Sequence, residues 1–283
     1  MHLPLNITIA IPIKNEATLL QGCIDAIGKD FVQKIIILDS GSTDGSLAIA
    51  HKNNIEVLDF KWNGQFPKKR NWFLQNYTPL TEWVFFLDAD EYLNEAFKTS
   101  LRKNINKENI VGFWLSYTRY FLGKKLKGGY PLRKLALFKI GAGEYEKIDE
   151  HNWSNLDMEI HEHPIIAGKT AIIKEEIDHL DFRGISHYII KHNEYASWEA
   201  QRIVSTGNNK SIRATWTLKQ RLKYKLMLTP FIGPAFFVGS YFLLGGVRDG
   251  ARGLAFSILK ASYFTQVYCK IKELKFINYG RVL

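Results

Sequence analysis

The chain reads Trp83-Val84-Phe85-Phe86-Leu87-Asp88-Ala89-Asp90-Glu91 at the point that decides its fold. Five apolar residues in a row are typical of a strand that is buried on both faces, and an acidic turn follows this strand directly. Through the first 90 residues, short β-type runs alternate with amphipathic stretches, which is the pattern of parallel βαβ units. Ligands of open α/β sheets bind beyond the carboxyl ends of the strands, so the acidic turn marks a candidate site.

A second acidic turn follows the strand predicted at residues 35–38. This strand ends at Asp39, and the turn Ser40-Gly41-Ser42-Thr43-Asp44-Gly45 comes next. A carboxylate in this place can accept hydrogen bonds from a pyrimidine N–H or from ribose hydroxyls. We expect Asp39 to be a ligand residue, and Asp44 to be a helix cap or turn residue. Two acidic turns at two strand ends indicate a single site.

The remaining periodicity predicts an α/β domain with a mostly parallel central sheet. Further strands are predicted at residues 7–13, 55–60, 111–117, 135–140 and 170–174, and helices at residues 16–27, 46–53, 67–74 and 186–202.

The pair Asp88 and Asp90 suggests a metal site. Two carboxylates two positions apart beside a turn can hold a hard divalent ion such as Mg²⁺ or Mn²⁺ while that ion binds a diphosphate. Asp-X-Asp also occurs by chance on solvated loops, and its position after a buried strand is what favours the metal. His179 is a further candidate for the metal sphere or the diphosphate, or else a histidine satisfied by its neighbours.

Charge is distributed unevenly along the 283 residues, which carry a formal net charge of +10. Residues 188–283 hold 15 Lys and Arg against 4 Asp and Glu, whereas residues 1–187 are close to neutral. A basic block suits nucleic acid or an anionic membrane surface. Because these basic residues border apolar stretches rather than a stacking surface, we expect no nucleic-acid partner.

The apolar stretches of the tail favour a membrane surface. Residues 226–247 are 22 residues without a charged side chain, and Pro230, Pro234 and several glycines interrupt them. The length could span a bilayer, but the interruptions favour a broken, re-entrant or surface-lying hairpin. The alternative is a buried helical hairpin packed on the catalytic domain. The first six residues lack a basic start and a long apolar run, and the two cysteines form no metal or redox pattern, so we expect a cytoplasmic setting.

Four segments together resemble the family 2 inverting glycosyltransferases of the GT-A fold, which is a Rossmann-like nucleotide-sugar-binding fold. The segments lie at residues 9–16, 39–45, 67–71 and 87–91, and they read IAIPIKNE, DSGSTDG, PKKRN and LDADE. The branch resembled is that of bacterial transferases of lipopolysaccharide core and exopolysaccharide, similar to the β-1,4-glucosyltransferases of the lipooligosaccharide core. A looser match continues through residues 159–162 and through Gly245-Gly246-Val247-Arg248-Asp249-Gly250.

The resemblance implies a role for each motif residue. It implies a nucleotide site whose members are Pro12, Asn15, Glu16, Asp39, Lys68, Arg70, Asp88 and Asp90. In it Asp39 would hold uracil or ribose, Asp88 would contact ribose or metal, and Asp90 would be the principal metal ligand. Lys68 and Arg70 would meet the nucleotide or its phosphates, with solvated helix charges as the alternative.

An inverting transfer needs one base to take the proton from the acceptor hydroxyl. Glu162 matches the His-Glu motif of the branch and is the catalytic candidate. The nearby carboxylates Glu159, Asp157 and Glu150 compete for that role.

We therefore expect a metal-dependent hexosyltransferase that uses a nucleotide-diphospho-sugar, most simply a UDP-sugar, and a lipid-linked saccharide acceptor. The transferase domain would occupy residues 1–209, and residues 210–283 would form a basic, apolar, helical membrane-associating segment. The protein would lie peripherally or monotopically on anionic lipids at the inner face of the cell membrane. Two alternatives stay open, a polyprenyl-phosphate sugar synthase and a non-catalytic membrane-bound scaffold with a transferase-like domain.

Overall fold

The structure is a computed structural model that describes residues 3–147, 150, 153–154, 156–157, 164–180, 183–206 and 218–280. The chain divides into two compact units. One comprises Met1–Arg119 and Pro131–Leu180, and the other comprises Tyr120–Tyr130 and Asp181–Leu283.

The strands, in chain order, are β1 Leu5–Ile13, β2 Val32–Asp39, β3 Glu56–Asp59, β4 Trp83–Phe86, β5 Glu91–Tyr92, β6 Ile110–Tyr117, β7 Tyr120–Phe121, β8 Lys124–Lys125, β9 Leu132–Lys139, β10 Gly143–Tyr145, β11 Pro164–Ile166 and β12 Lys169–His179. The α-helices are α1 Ala17–Ile27, α2 Ser46–Lys52, α3 Lys69–Asn76, α4 Glu95–Asn104, α5 Gly184–Thr206, α6 Leu218–Met227, α7 Ile232–Val238 and α8 Gly250–Gly280. A π-helix at Gly239–Leu243 and a 3₁₀ helix at Gly246–Asp249 lie between α7 and α8.

The main sheet of the first unit is mixed, and six of its eight strands run in one direction, so it is mostly parallel as expected. Its strand order across the described residues is β3-β2-β1-β4-β9-β6-β12-β5. β1, β2, β3 and β4 run parallel, as do β6 and β12, whereas β9 is antiparallel to both of its neighbours and β5 is antiparallel to β12. Only β9 and β5 depart from the expected direction, and β9 does so because the chain returns from β6 to β9 through the short β7-β8 hairpin. A hairpin joins antiparallel strands, whereas a parallel return needs a longer crossover.

Alternating strand residues pack on the two faces of this sheet. Ile9, Ile11 and Phe85 belong to one buried cluster with residues of α1 and α4, and Ala10 and Phe86 belong to a second cluster with residues of α3. Both faces are therefore covered, which explains why the central strands read as unbroken apolar runs. The core holds the strand ends in place, and the polar turns that follow them form one edge.

The second unit consists of the β7-β8 hairpin and the helices α5 to α8. Its buried cluster joins residues of α5, such as Ala196 and Ala200, to Val267 and Ile271 of α8. The predicted interruption of the apolar tail is present, since π, 3₁₀ and turn segments separate α7 from α8. Within the described residues, no helix combines the length and the apolar content that a membrane crossing requires. The domain boundary expected at residues 209 and 210 stays a prediction.

Candidate functional site

The candidate site is built on the carboxyl ends of β1, β2 and β4. Ile13 at the end of β1 pairs with Asp39 at the end of β2, and the backbone N–H of Leu87 after β4 donates to the carbonyl of Ala10. Because these three strands are parallel neighbours, the turns that follow them emerge at the same edge. The two acidic turns predicted to form one site therefore lie at the same edge of the sheet, on either side of the end of β1.

Asp39 is buried at 4% exposure and organises the turn that follows it. Its carboxylate accepts hydrogen bonds from the backbone N–H groups of Gly41 at 2.9 Å and Ser42 at 3.0 Å, and from the Ser42 hydroxyl at 2.5 Å. Gly41 has a φ of +79°, a left-handed conformation that glycine adopts readily. A carboxylate has about four acceptor positions, so three donors leave room for a further one.

The loops after β1 and β2 are tied together by reciprocal hydrogen bonds. The Asn15 side-chain oxygen accepts from the Thr43 backbone N–H at 2.8 Å, and the Asn15 N–H donates to the Ser42 hydroxyl at 2.9 Å. Asp44 accepts from the backbone N–H of Ala17, the first residue of α1, at 3.0 Å. Asp44 is thus a cap and turn residue, as expected.

The other two motif residues of the β1 end flank this junction. Pro12 is buried within β1 and pairs in register with Leu38 of β2. The backbone N–H of Glu16, which precedes α1, donates to the Ser46 hydroxyl at 3.0 Å. Pro12, Asn15, Glu16 and Asp39 therefore all lie at one strand-end junction.

Asp88 lies between two cations. Its Oδ1 is 2.8 Å from a terminal nitrogen of Arg70 on α3, and its Oδ2 is 2.8 Å from Nζ of Lys134 on β9. The Arg70 guanidinium also lies 5.6 Å from the centre of the Tyr145 ring. Asp88 and Arg70, which were predicted to share the site, are brought together as a direct ion pair.

Asp90 forms a different group with Glu91, for which the sequence predicted no role, and with His179, the further metal candidate. A carboxylate oxygen of Asp90, a carboxylate oxygen of Glu91 and a ring nitrogen of His179 all lie within 4.8 Å of one another. His179 Nε2 is 3.4 Å from Asp90 Oδ2, and β5 and β12 pair Glu91 with His179 in register. Burial acts to lower the pKa of His179, but the hydrogen bond and charge of Asp90 outweigh burial and raise it.

Glu91 links the Asp90 group to Asp88. One Glu91 oxygen is 2.5 Å from Lys134 Nζ, and the other accepts the Asp88 backbone N–H at 3.1 Å. Burial raises the pKa of Glu91 to about 7; Lys134 opposes that rise and Asp88 adds to it. Burial acts to lower the pKa of Lys134, yet Asp88 and Glu91 hold it well above its ordinary value. One lysine cation, Lys134, is therefore ion-paired with two carboxylates of this turn.

This arrangement separates the two aspartates of the acidic triplet. Asp90 belongs to the group that could hold a divalent ion, whereas both oxygens of Asp88 are held by cations. Two carboxylate oxygens and an imidazole nitrogen are a donor set that Mn²⁺ accepts, and the carboxylates also suit Mg²⁺.

Two buried lysines at the start of α3 pair with carboxylates that lie much later in the chain, at residues 150 and 157. Lys68 is 6% exposed, and its Nζ lies 2.5 Å from Glu150 Oε2. Lys69 Nζ contacts the Ile13 carbonyl at 3.0 Å and Asp157 Oδ2 at 3.2 Å. Burial acts to raise the pKa of Asp157, but Lys69 and a hydrogen bond from a serine hydroxyl outweigh it and lower the pKa. Lys68 is therefore a buried, paired group rather than a solvated helix charge.

The predicted base, Glu162, and its competitor Glu159 lie outside the described residues. The other competitors, Glu150 and Asp157, are engaged with Lys68 and Lys69.

Lys134 was missed by the sequence reasoning, and Glu91 was noted there only as part of the acidic turn. Glu91 directly follows the Asp88-Ala89-Asp90 triplet, and its position was the available signal. Lys134 lies 46 residues after Asp88 on an antiparallel strand, so no local pattern could connect them.

The chain is similar in sequence to known glycosyltransferases. Residues 8–164 match the family described as Glycosyl transferase family 2. Over 273 residues the chain is 28% identical to the lipopolysaccharide core biosynthesis glycosyltransferase LpsC of Rhizobium meliloti, covering 92% of this chain and 89% of LpsC. It is 26% identical over 245 residues to an uncharacterized glycosyltransferase of Rickettsia felis, covering 84% and 81% of the two chains.

Among solved structures, glucosyl-3-phosphoglycerate synthase from Mycobacterium tuberculosis, in complex with Mn²⁺, UDP and glucosyl-3-phosphoglycerate, matches with a TM-score of 0.32 and 23% identity. That match spans 39% of this chain and 43% of the synthase.

Proposed function

The chain belongs to glycosyl transferase family 2 and is a glycosyltransferase, and from this premise we propose that it moves a hexose from a nucleotide-diphospho-sugar to a lipid-linked saccharide with inversion at the anomeric carbon. The expected family and enzyme class are confirmed. The donor, the acceptor and the metal dependence are the content of the proposal.

The observation that carries the proposal is the group of Asp90, Glu91 and His179 at the end of the β4 region. These three donors fit Mg²⁺ or Mn²⁺, with Asp90 as the principal ligand and His179 as the nitrogen donor. When bound there, the ion would supply positive charge to the leaving diphosphate. Glu91 also holds the Asp88 backbone, so it would fix the turn that carries Asp90.

The nucleotide half of the donor fits the junction of β1 and β2. Asp39 has an acceptor position left for a pyrimidine N–H or a ribose hydroxyl, and Pro12, Asn15 and Glu16 lie around it. A UDP-sugar is the simplest donor with these groups. Because Asn15 is bonded to the loop that Asp39 organises, both loops would keep their positions when the nucleotide enters.

Arg70 and Lys134 supply fixed positive charge next to the acidic residues. Both contact Asp88, so its charge is compensated before any ligand is present. A diphosphate near Asp88 would therefore meet two cations as well as the carboxylates of Asp88 and Glu91, and the cations would lower the electrostatic cost of its approach. Lys68, paired with Glu150, would act on the phosphates only by exchanging that partner.

We assign the role of general base to Glu162. It would accept the proton of the acceptor hydroxyl as that oxygen attacks the anomeric carbon from the side opposite the diphosphate. The support is the motif resemblance together with the ion pairs that occupy Glu150 and Asp157.

The proposal of a lipid-linked acceptor rests on the similarity to LpsC and on the basic, apolar tail of the chain. LpsC is a lipopolysaccharide core biosynthesis glycosyltransferase, and it aligns with 92% of this chain. A lipid-linked acceptor would be presented at the cytoplasmic membrane face, where a peripheral or monotopic enzyme with a basic, apolar tail could reach it.

The test is the release of UDP or GDP from a panel of UDP-sugars and GDP-sugars by the purified chain, with Mn²⁺, with Mg²⁺ and with EDTA. We expect metal-dependent release from one donor, loss of release in Asp90→Asn, and retention in Asp25→Asn, whose carboxylate is exposed on α1. Release that continues undiminished in EDTA would refute the metal assignment. A chain that neither binds nor cleaves any of these nucleotides would refute the donor class.

A further inference from the structure

One lysine of β9 reaches the acidic turn after β4 and contacts two of its carboxylates. Lys134 Nζ lies 2.8 Å from Asp88 Oδ2 and 2.5 Å from Glu91 Oε1. Asp88 and Lys134 are 46 positions apart in the chain, and the contact is made because β9 and β4 are neighbours in the sheet. The acidic turn is therefore held from a neighbouring strand as well as by its own backbone.

Glu91 depends on this lysine more than Asp88 does. Asp88 has a second cation, Arg70, 2.8 Å from its Oδ1. The Glu91 side chain is 1% exposed, and among the residues that the structure describes, Lys134 is the one lysine or arginine ion-paired with it. The other Glu91 oxygen, Oε2, accepts the Asp88 backbone N–H at 3.1 Å. The orientation of the Glu91 carboxylate is thus set by one backbone contact and by Lys134.

Glu91 is also the central member of the candidate metal group. The pairing of β5 with β12 places it in register with His179, and the Asp90 carbonyl accepts the Leu180 N–H at 2.9 Å. The backbone therefore sets the positions from which the three donor side chains start. The direction of the Glu91 carboxylate depends on its own hydrogen bonds, because a glutamate side chain has several rotatable bonds.

The ammonium group of Lys134 is itself held in place. It lies 5.0 Å from the centre of the Tyr117 ring, and Tyr117 is 1% exposed. The antiparallel pairing of β6 with β9 sets Leu115 opposite Lys134 and Tyr117 opposite Leu132, so the tyrosine is the diagonal neighbour of the lysine. A cation that contacts an aromatic ring and two carboxylates is fixed by all three. Lys134 is therefore a prepositioned group rather than a flexible surface charge.

Two effects of Lys134 on a divalent ion have opposite signs. As a charge it would weaken the binding of a metal, because like charges repel. As a hydrogen-bond donor to Glu91 it would strengthen the binding, because it orients a ligand oxygen. The charge of the ammonium is already compensated by the two carboxylates that it contacts, so we expect the orienting effect to be the larger one.

We propose that Lys134 is a positioning residue of the metal group, which holds the Glu91 carboxylate in the orientation in which Glu91, Asp90 and His179 bind one divalent ion together. This task is additional to the charge that Lys134 supplies beside Asp88. The inference rests on the metal dependence of the proposed function, and it names a residue outside the donor set that determines the affinity for the metal.

The test is Mn²⁺ binding by the full chain, with and without UDP, measured from the electron paramagnetic resonance signal of free Mn²⁺. Lys134→Met keeps an unbranched stem and removes the ammonium, and we expect it to bind Mn²⁺ about 10- to 100-fold more weakly than wild type. Lys134→Arg should recover most of this loss, because a guanidinium can donate to both carboxylates.

Lys139→Met is the matched control. Lys139 lies on the same strand as Lys134, is ion-paired with Glu82 at 2.5 Å, and lies 5.3 Å from the centre of the Trp83 ring. The control therefore removes a lysine with the same kinds of contact, but away from the acidic turn. We expect its Mn²⁺ affinity to equal that of wild type.

A second pair of variants separates the contact with Glu91 from the contact with Asp88. In Asp88→Asn, Lys134 keeps Glu91 as its charged partner. In Lys134→Met/Asp88→Asn a cation and a carboxylate are removed together, so this variant keeps the net charge of the turn and serves if Lys134→Met alone does not fold. The double variant should bind Mn²⁺ about 10-fold or more weakly than Asp88→Asn, because Glu91 has lost its donor.

Nucleotide release gives a second readout on the same variants. In Lys134→Met, the Mn²⁺ concentration for half-maximal release should rise by the same factor as the Mn²⁺ dissociation constant. The donor KM at saturating Mn²⁺ should stay close to wild type, because the lost interaction acts on the metal group rather than on the donor.

Lys134→Met that binds Mn²⁺ as well as wild type, or more tightly, would overturn the proposal, because the lysine would then act only as a charge or as a phosphate contact. Equal weakening by Lys139→Met, or equal binding by Asp88→Asn and the double variant, would overturn it as well. These results leave the proposed function standing. A wild-type chain that binds Mn²⁺ through Lys134 as expected, but neither binds nor cleaves nucleotide-sugars, contradicts the proposed function alone, whereas one that binds no Mn²⁺ with or without UDP contradicts both.

Discussion

Lys260 on α8 is a cation enclosed by aromatic rings, and its replacement should stabilise the protein. Its Nζ lies 3.1 Å from His192 Nε2 and 5.5 to 6.0 Å from the ring centres of Tyr188, Phe256 and Tyr263. An ammonium only donates, so His192 Nε2 accepts, and its Nδ1–H donates to the Tyr188 carbonyl at 2.9 Å. Among the described residues, no carboxylate pairs with Lys260.

The size of the expected stabilisation follows from the lowered pKa of Lys260. Burial lowers the pKa of Lys260 from 10.5 to about 8, and the nearby charge of Lys191 acts in the same direction. A difference of that size corresponds to about 3 kcal/mol of unfavourable free energy for the charged form at pH 7. Lys260→Met keeps an unbranched apolar stem and removes the charge. Loss of the hydrogen bond to His192 costs about 1 kcal/mol, so a net stabilisation of about 1 to 2 kcal/mol is expected.

The effect should depend on pH with a defined sign. Between about pH 8 and pH 10.5 the unfolded chain holds a proton on Lys260 that the folded chain has released. The stability contribution of this group therefore rises with pH through that window. Lys260→Met lacks this contribution, so its advantage over wild type should be full at pH 7 and small near pH 10.

Urea unfolding followed by circular dichroism at pH 7 and pH 10 measures this directly. The comparison is between variant and wild type at each pH, so the titration of all other groups cancels. Lys275→Met, an exposed lysine of the same helix, is the control and should change the unfolding free energy little at either pH. An advantage of Lys260→Met that stays constant between the two pH values, or a destabilised variant at pH 7, would refute the reasoning.

Three further changes test other parts of the structure. Asp90→Ala should reduce metal-dependent nucleotide release at least about 1000-fold, since charge stabilisation by a metal is worth several kcal/mol, and turnover close to wild type would end the metal assignment. Asp44→Ala should lower the unfolding free energy by about 1 to 2 kcal/mol in a urea titration, because it leaves the N–H of Ala17 and the turn before α2 uncapped. Glu150→Gln should cost about 3 to 5 kcal/mol in the same assay by leaving the Lys68 cation buried, and the double variant Lys68→Met/Glu150→Leu should recover most of that loss.

The parallel half of the fold follows from the sequence because each element there has a local pattern. Ile7 to Ile13, the apolar helix positions that follow, and the strand before Asp88 give β1, α1 and β4 within two residues of their observed bounds. The acidic residues after β2 and β4 meet because parallel neighbours end at one edge. Because this rule holds for parallel sheets in general, the site can be located from the sequence without knowing any side-chain contact.

The direction of β9 and the contacts of the site do not follow from local patterns. The direction of β9 depends on a two-strand hairpin whose paired segments are two residues each, too short to show periodicity. Lys134 joins the acidic turn only because β9 lies beside β4. Likewise, the pairing of Lys68 with Glu150 spans 82 positions, so that lysine resembled a solvated helix charge.

The hairpin at residues 120–130 is synthesised long before the segment to which it is hydrogen-bonded, and this limits when the second unit can fold. Lys127 and the carboxylate of Asp249 that it binds are 122 positions apart. At translation rates of about 5 to 20 residues per second, the hairpin leaves the ribosome roughly 6 to 24 s before its partner exists. The β4 and β6 strands are complete by then, so the sheet can assemble during this interval. The second unit cannot be completed until the last 40 residues have been synthesised. Any fragment that ends before residue 244 carries a hairpin whose backbone donors have lost their acceptor, so dissection of this protein into independent pieces must keep both segments together.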